Sequence, residues 1–129
     1  MTKPPPSRRE KRQRARAFGM RGEWAAMALL ICKRYRILAR NFSAAGGEID
    51  IVAARGKVIA FVEVKARPEV DAARVAITDG KRQRIARAAR VWLGRNRWAA
   101  GYDLRADAVF VSPRRWPEHL ENAFELDLI

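Results

Sequence analysis

Gly46-Gly47-Glu48-Ile49-Asp50 and Phe61-Val62-Glu63-Val64-Lys65 are the two runs from which the fold of this chain is read. They hold the Ile, Val and Phe that strands favour. The polar Ala54-Arg55-Gly56-Lys57 between them carries the glycine that a tight turn wants. The reading is an antiparallel hairpin, roughly Glu48–Ala54 paired with Lys57–Lys65. Side chains alternate along a strand. Ile59, Phe61, Glu63 and Lys65 therefore share one face of the second strand, and Val58, Ala60, Val62 and Val64 the other. Both faces are apolar until the end, which predicts a central strand covered on both sides. On the first strand the same rule sets Glu48, Asp50, Val52 and Ala54 against Ile49, Ile51 and Ala53.

The hairpin brings Asp50, Glu63 and Lys65 to one place at the end of a buried strand. Two carboxylates about 4 Å apart repel by about 4 kcal/mol at an effective dielectric near 20. One lysine offsets part of that, and a divalent cation would offset it all. With one Cys and one His, the chain cannot build a Cys/His zinc site. Oxygen ligands favour Mg²⁺ or Mn²⁺.

The 129 residues suffice for one domain with a single core. A net charge of +13 points to a polyanionic partner, nucleic acid first and an anionic membrane surface second. No apolar run approaches the length of a membrane span, and the basic N-terminus lacks the apolar centre of a signal peptide. A cytoplasmic protein is the simplest expectation. Residues 1–17 read as a separate basic tail, disordered or marginally helical, and 18–129 as the domain. Lys3, Arg8, Arg9, Lys11, Arg12, Arg14 and Arg16 against Glu10 give that tail +6. It is either a solvated tail or a phosphate-binding arm.

Met27, Leu30 and Ile31 make the apolar stripe of a first helix, about Met20–Lys33. Glu23 lies at the head of that stripe, where spacing alone reads it as an ordinary acid favoured by the helix dipole. Cys32 reads as a small packing residue. Tyr35–Phe42 is a strand, and Ala66–Ala76 a loop with Pro68 stopping the strand before it. Thr78 or Asp79 caps a second helix running to about Arg95, its stripe Ile85, Ala88, Ala89, Trp92 and Leu93. Its other positions include Lys81, Arg82, Arg84, Arg87 and Arg90 with no acids interleaved, which reads as a phosphate-facing surface. Leu104–Val111 is a further strand, Pro113 and Pro117 bracket a turn, and Leu120–Leu126 is a short edge strand. His119 reads as an exposed loop residue without a role. The scattered aromatics read as core rather than as base-stacking platforms.

Asp50 followed thirteen positions on by Glu63-Val64-Lys65 matches the acid and (D/E)xK pattern of the PD-(D/E)xK nuclease superfamily. Gly22-Glu23, Arg40-Asn41, Gly47-Glu48-Ile49-Asp50, Phe61-Val62-Glu63-Val64-Lys65-Ala66-Arg67, Lys81-Arg82-Gln83-Arg84-Ile85 and Asn122-Ala123-Phe124 resemble the UPF0102 (YraN-like) family of bacterial proteins. The resemblance covers roughly Phe18–Phe124. It implies an α/β fold, a restriction-endonuclease-like αβββαβ core with a central mixed sheet flanked by helices. Asp50 and Glu63 would be metal ligands with the Val64 carbonyl, and Lys65 would orient or activate the attacking water. Glu23 resembles the extra acid of archaeal Holliday junction resolvases in that superfamily and would complete the cluster, through a water. Arg67, Lys81, Arg82, Arg84 and Arg87 would meet DNA. The implied function is Mg²⁺- or Mn²⁺-dependent DNA endonuclease activity, with branched or recombining DNA a candidate substrate and a homodimer a candidate assembly. The alternative is a nucleic-acid-binding protein on a nuclease-like fold whose activity is absent or partner-dependent. A basic RNA-associated protein whose acids only pair with arginines ranks last, because it leaves the lysine–acid pair at a buried strand end unexplained.

Overall fold

The computed structural model of the protein describes residues 4–5, 7–66 and 77–128, with 11–20 described by their backbone alone. Helix α1 spans Arg8–Cys32, strands β1 Arg36–Ala44, β2 Gly47–Arg55 and β3 Val58–Ala66 follow, then α2 Asp79–Arg95, β4 Asp103–Val111 and β5 Glu118–Leu120. The sheet order is β1-β2-β3-β4-β5. β1, β2 and β3 are antiparallel neighbours, β3 and β4 are parallel, and β4 and β5 are antiparallel. A parallel pair needs a long crossover, and α2 lies on the connection from β3 to β4. The expected loop Ala66–Ala76, with Pro68 and Arg67, lies almost wholly outside the described residues.

The two faces of β3 go to two cores, as alternation predicts. Ile59 and Phe61 join Ile85, Ala88, Ala89 and Trp92 of α2. Ala60 and Val62 join Ala26, Met27 and Leu30 of α1. The helices thus cover opposite faces of one mixed sheet. Thr78 caps α2 as expected, its Oγ1 accepting from the Lys81 N–H at 3.3 Å.

α1 begins well before the apolar stripe, at Arg8, capped by the Ser7 Oγ that accepts from the Glu10 N–H at 3.1 Å. Arg, Lys, Gln, Glu and Ala are good helix formers. Hydrophobic periodicity does not register a helix built from them. Cys32 is exposed rather than packed in the core. The last strand is Glu118–Leu120 rather than Leu120–Leu126; the chain beyond it turns inward, burying Phe124 against the α2-side core.

His119 is a further correction. Its side chain is 2% exposed and lies in a polar network with Asp107, which is completely buried. Arg105 donates from Nε and Nη2 to the two Asp107 oxygens at 2.8 and 2.9 Å, and its Nη2 also reaches Tyr35 Oη at 2.5 Å. Asn122 N–H donates to Asp107 at 3.0 Å. Lys33 Nζ lies 2.6 Å from His119 Nδ1 and Asp107 2.7 Å from Nε2. An ammonium only donates, so Nδ1 accepts and Nε2–H donates to Asp107. The network ties the chain just after α1 to β4 and β5.

Two glycines set how closely the helices sit. A Cβ on Gly47 would lie 1.8 Å from the Arg84 carbonyl oxygen, and one on Gly22 would lie 2.6 Å from the Ala66 Cβ. The first contact is with main chain, so it cannot be relieved by a rotamer change. Gly47→Ala should push α2 off β2 and cost about 3 kcal/mol, the upper part of the usual overpacking range. Gly94→Ala, with open space around it, should gain up to about 1 kcal/mol of helix propensity. Urea melts of the two variants should move in opposite directions; an unshifted Gly47→Ala midpoint would show that α2 does not pack that closely.

Candidate active site

β2 and β3 pair from Arg55↔Val58 to Ile51↔Val62, and there the pairing stops. β2 stays paired with β1 as far as Gly47, and β3 with β4 as far as Ala66. The two central strands therefore part at Asp50 and Glu63, each still held by its outer neighbour. The side chain of Asp50 bridges the split, Oδ2 accepting the Val64 N–H at 2.8 Å. Ile49 packs in the same core as Val52 and Ala54, against the expected alternation. The strand turns over at Asp50, where it has lost its partner on the β3 side.

Asp50 and Glu63 lie close enough for each carboxyl to act on the other. Burial, then the charge of Glu63, push the Asp50 carboxyl up to about 7 despite the Val64 N–H. A like charge this close favours the protonated form of Asp50. The charge of Glu23 adds to the shift. Gly22 brings the preceding turn of α1 against the end of β3, which places Glu23 on this side of the cluster. Asn41 Nδ2 donates to Glu23 Oε2 at 3.4 Å, from a residue with φ of +48°. Glu63 and Lys65 are 3% and 7% exposed.

Lys81 adds what the sequence did not show. It forms an ion pair with Glu63 across from α2 and meets Lys65 as well. Burial lowers its pKa, but the hydrogen bond and charge of Glu63 outweigh that and hold the amine above its usual range. No spacing rule could have found this pair, because it depends on how α2 docks. Of the other basic residues expected to meet DNA, Arg84 and Arg87 are exposed on α2. Arg82 is half-buried, donating to the Ile77 carbonyl at 3.2 Å. Arg67 lies outside the described residues. Arg84 and Lys81 border a groove of about 620 Å³ with Ser43, Gly46, Gly47 and Glu48. The aromatics divide: Phe61, Trp92 and Phe124 are core as expected, but Trp24, Trp98 and Trp116 are 61%, 50% and 92% exposed.

Among the described residues, no three His, Cys, Asp or Glu side chains stand close enough together to ligate one ion. Two carboxylates and main-chain oxygen are the available set, with Glu23 more distant. That set still fits Mg²⁺, which takes one or two carboxylates and keeps several waters. The raised Asp50 carboxyl beside Glu63 marks where positive charge is wanted.

The metal-free protein makes a pH prediction. Asp50 titrates near 7 when folded and near 3.8 in an ordinary carboxyl. Between those values the folded state holds a proton that the unfolded chain has released, so stability falls as pH rises from about 4 to about 7. In EDTA, the melting temperature should decline over that window, and Asp50→Asn should remove the decline. An unchanged slope in the variant would show that another group titrates.

The fold is an α/β fold with a five-stranded mixed sheet flanked by helices, compatible with a restriction-endonuclease-like core, and its polar centre is an acidic cluster with two lysines. The chain belongs to the uncharacterised protein family UPF0102, whose model matches residues 22–111. That span holds Glu23, Asp50, Glu63, Lys65 and Lys81. A UPF0102 protein of Methylorubrum extorquens (strain PA1) is 55% identical over 97% of this chain and 98% of its own. One of Methylobacterium nodulans is 59% identical over 89% of this chain and 92% of its own. One of Methylocella silvestris is 58% identical over 84% and 88%. Among the described residues, no helix is long and apolar enough to cross a membrane.

Proposed function

We propose that the protein is a Mg²⁺- or Mn²⁺-dependent DNA endonuclease of the PD-(D/E)xK superfamily, acting on branched or recombining DNA. The observation that carries this is the meeting of Asp50, Glu63 and Lys65 where β2 and β3 part, with Glu23 and Lys81 arriving from opposite faces of the sheet. Asp50, Glu63 and the Val64 carbonyl would hold the cation. Bound there, it would lower the pKa of a water and polarise the phosphate. With the cation there, Glu63 would no longer need the neutralising charge of Lys81, whose ammonium would be left to face phosphate oxygens. Lys65, on the strand face of Glu63, orients the attacking water and stabilises the charge that grows on the phosphoryl oxygens. Arg84 and Arg87 supply phosphate contacts along α2.

The test is incubation of the pure protein with linear, nicked, single-stranded and four-way-junction DNA in Mg²⁺, Mn²⁺ or EDTA. Cleavage in either metal and none in EDTA is expected. Calorimetric Mn²⁺ binding that Asp50→Ala and Glu63→Ala each abolish should accompany it. Binding that survives both substitutions would remove the site. Metal and DNA binding without cleavage would support the second reading, a nuclease-like binding protein, which the Lys81–Glu63 pair favours because it occupies an acid that catalysis requires.

A further inference from the structure

Two banks flank the split between β2 and β3, and they differ in kind. The α2 bank is cationic, with Lys81 and Arg84 along the groove. The α1 bank is aromatic. Trp24 follows Glu23 in α1 and is 61% exposed, with the Arg40 guanidinium 5.2 Å from the ring centroid. Arg40 precedes Asn41, the residue that holds Glu23, and is paired with Ile51, the neighbour of Asp50. What sets this indole apart is its place: it stands next to Glu23 with a cation already on it. Trp98, also exposed, differs: it packs edge-on against Trp92 and Tyr102 and so completes an aromatic cluster.

We infer that Trp24, with Arg40, is a stacking platform for an unpaired DNA base beside the acidic cluster, next to the phosphate that a cation at Asp50 and Glu63 would hold. Any base has a π-face to offer, so such a platform is indifferent to sequence, while the arginine adds a charge for the flanking phosphate. Inside a duplex each base face is already covered by its neighbours. The platform therefore favours single-stranded or splayed DNA, and gives the cleft a preference that its cations alone cannot supply, since they meet every phosphate alike. This rests on the reading of the acids as a nuclease site, but its first test does not use cleavage.

The experiment is fluorescence anisotropy of the full chain in EDTA with a labelled single strand and with the same sequence as a blunt duplex. Trp24→Ala should weaken binding of the single strand about tenfold and of the duplex less than about twofold. Trp24→Phe, which keeps a ring, should retain most of the single-strand affinity. Circular-dichroism melts confirm that each variant is folded. Unchanged single-strand affinity in Trp24→Ala, equal loss on both DNAs, or a Phe variant as weak as the Ala variant would each overturn the platform. A second arm in Mn²⁺ compares cleavage of splayed and blunt DNA; a preference for the splayed end that Trp24→Ala erases supports the platform, and a preference that persists in the variant overturns it. If the wild type cuts neither DNA, the nuclease reading fails while the binding arm still decides the platform.

Discussion

Asp107→Ala should be among the most destabilising single changes in this protein, costing about 3–5 kcal/mol, the usual effect of removing one partner from a buried ion pair. Asp107 is wholly buried and every partner it has in the network is a donor: Arg105 twice, His119 Nε2 and the Asn122 N–H. Removing it strips Arg105 of its two-pronged carboxylate partner and leaves the His119 and Asn122 donors unmatched, with only Tyr35 Oη and Glu121, 3.6 Å away, still facing the guanidinium. Asp107→Asn should be nearly as damaging, since its amide would turn an N–H toward another donor. Burial raises the Asp107 pKa, but the hydrogen bonds from His119 and Arg105 outweigh that and hold it below the ordinary value. A depressed acid contributes stability above its unfolded pKa and loses it as pH falls through the folded one. The wild type should accordingly lose stability below about pH 4, and Asp107→Ala should lack that part of the acid limb. Urea melts at neutral and acid pH measure both; a variant within about 1 kcal/mol of the wild type would mean that the network is only surface decoration.

Lys65→Met should slow cleavage about a hundredfold while leaving DNA affinity within about threefold. The methionine keeps the apolar stem in a site where the lysine is only 7% exposed. The lost ammonium is one cation among 27 basic residues, so ground-state attraction to DNA hardly changes. It is, however, on the strand face of Glu63, where on the proposed reading charge would develop as the phosphate is attacked. On the proposed nuclease reading, Glu63→Gln should go further and abolish detectable cleavage, because it takes the negative charge from a proposed metal ligand that also pairs with Lys81. If Lys65 only neutralises its acidic surroundings, Lys65→Met should instead lower the melting temperature in EDTA. Wild-type cleavage, or early unfolding, would take Lys65 out of the reaction.

Much of this could be read from the chain before any coordinates. Period-two alternation in Val58–Ala66 and stripe spacing in Asp79–Arg95 are local properties, and they determined β3 with its two covered faces and α2 with its cap. The position of Asp50, Glu63 and Lys65 near one another also followed, because a hairpin with a short turn sets its own register. Local pattern thus determined the central hairpin, α2 and the residues of the acidic centre, while the mixed sheet was what the family resemblance implied.

Tertiary structure decided the rest, through contacts between segments far apart in sequence. Lys81 reaches Glu63 only because Gly47 lets α2 lie on β2. Ile49 changes face because β2 loses β3 at Asp50, a break invisible to a pattern of alternating residues. His119 looks like a loop residue locally, yet Asp107 and Lys33, the latter 86 positions away, draw it inside. Trp24 lies beside the acids because α1 crosses the sheet there, while its apolar character alone had suggested core. Local rules report what a segment prefers; which charge is neutralised, and which ring stays in water, is settled by what packs against it.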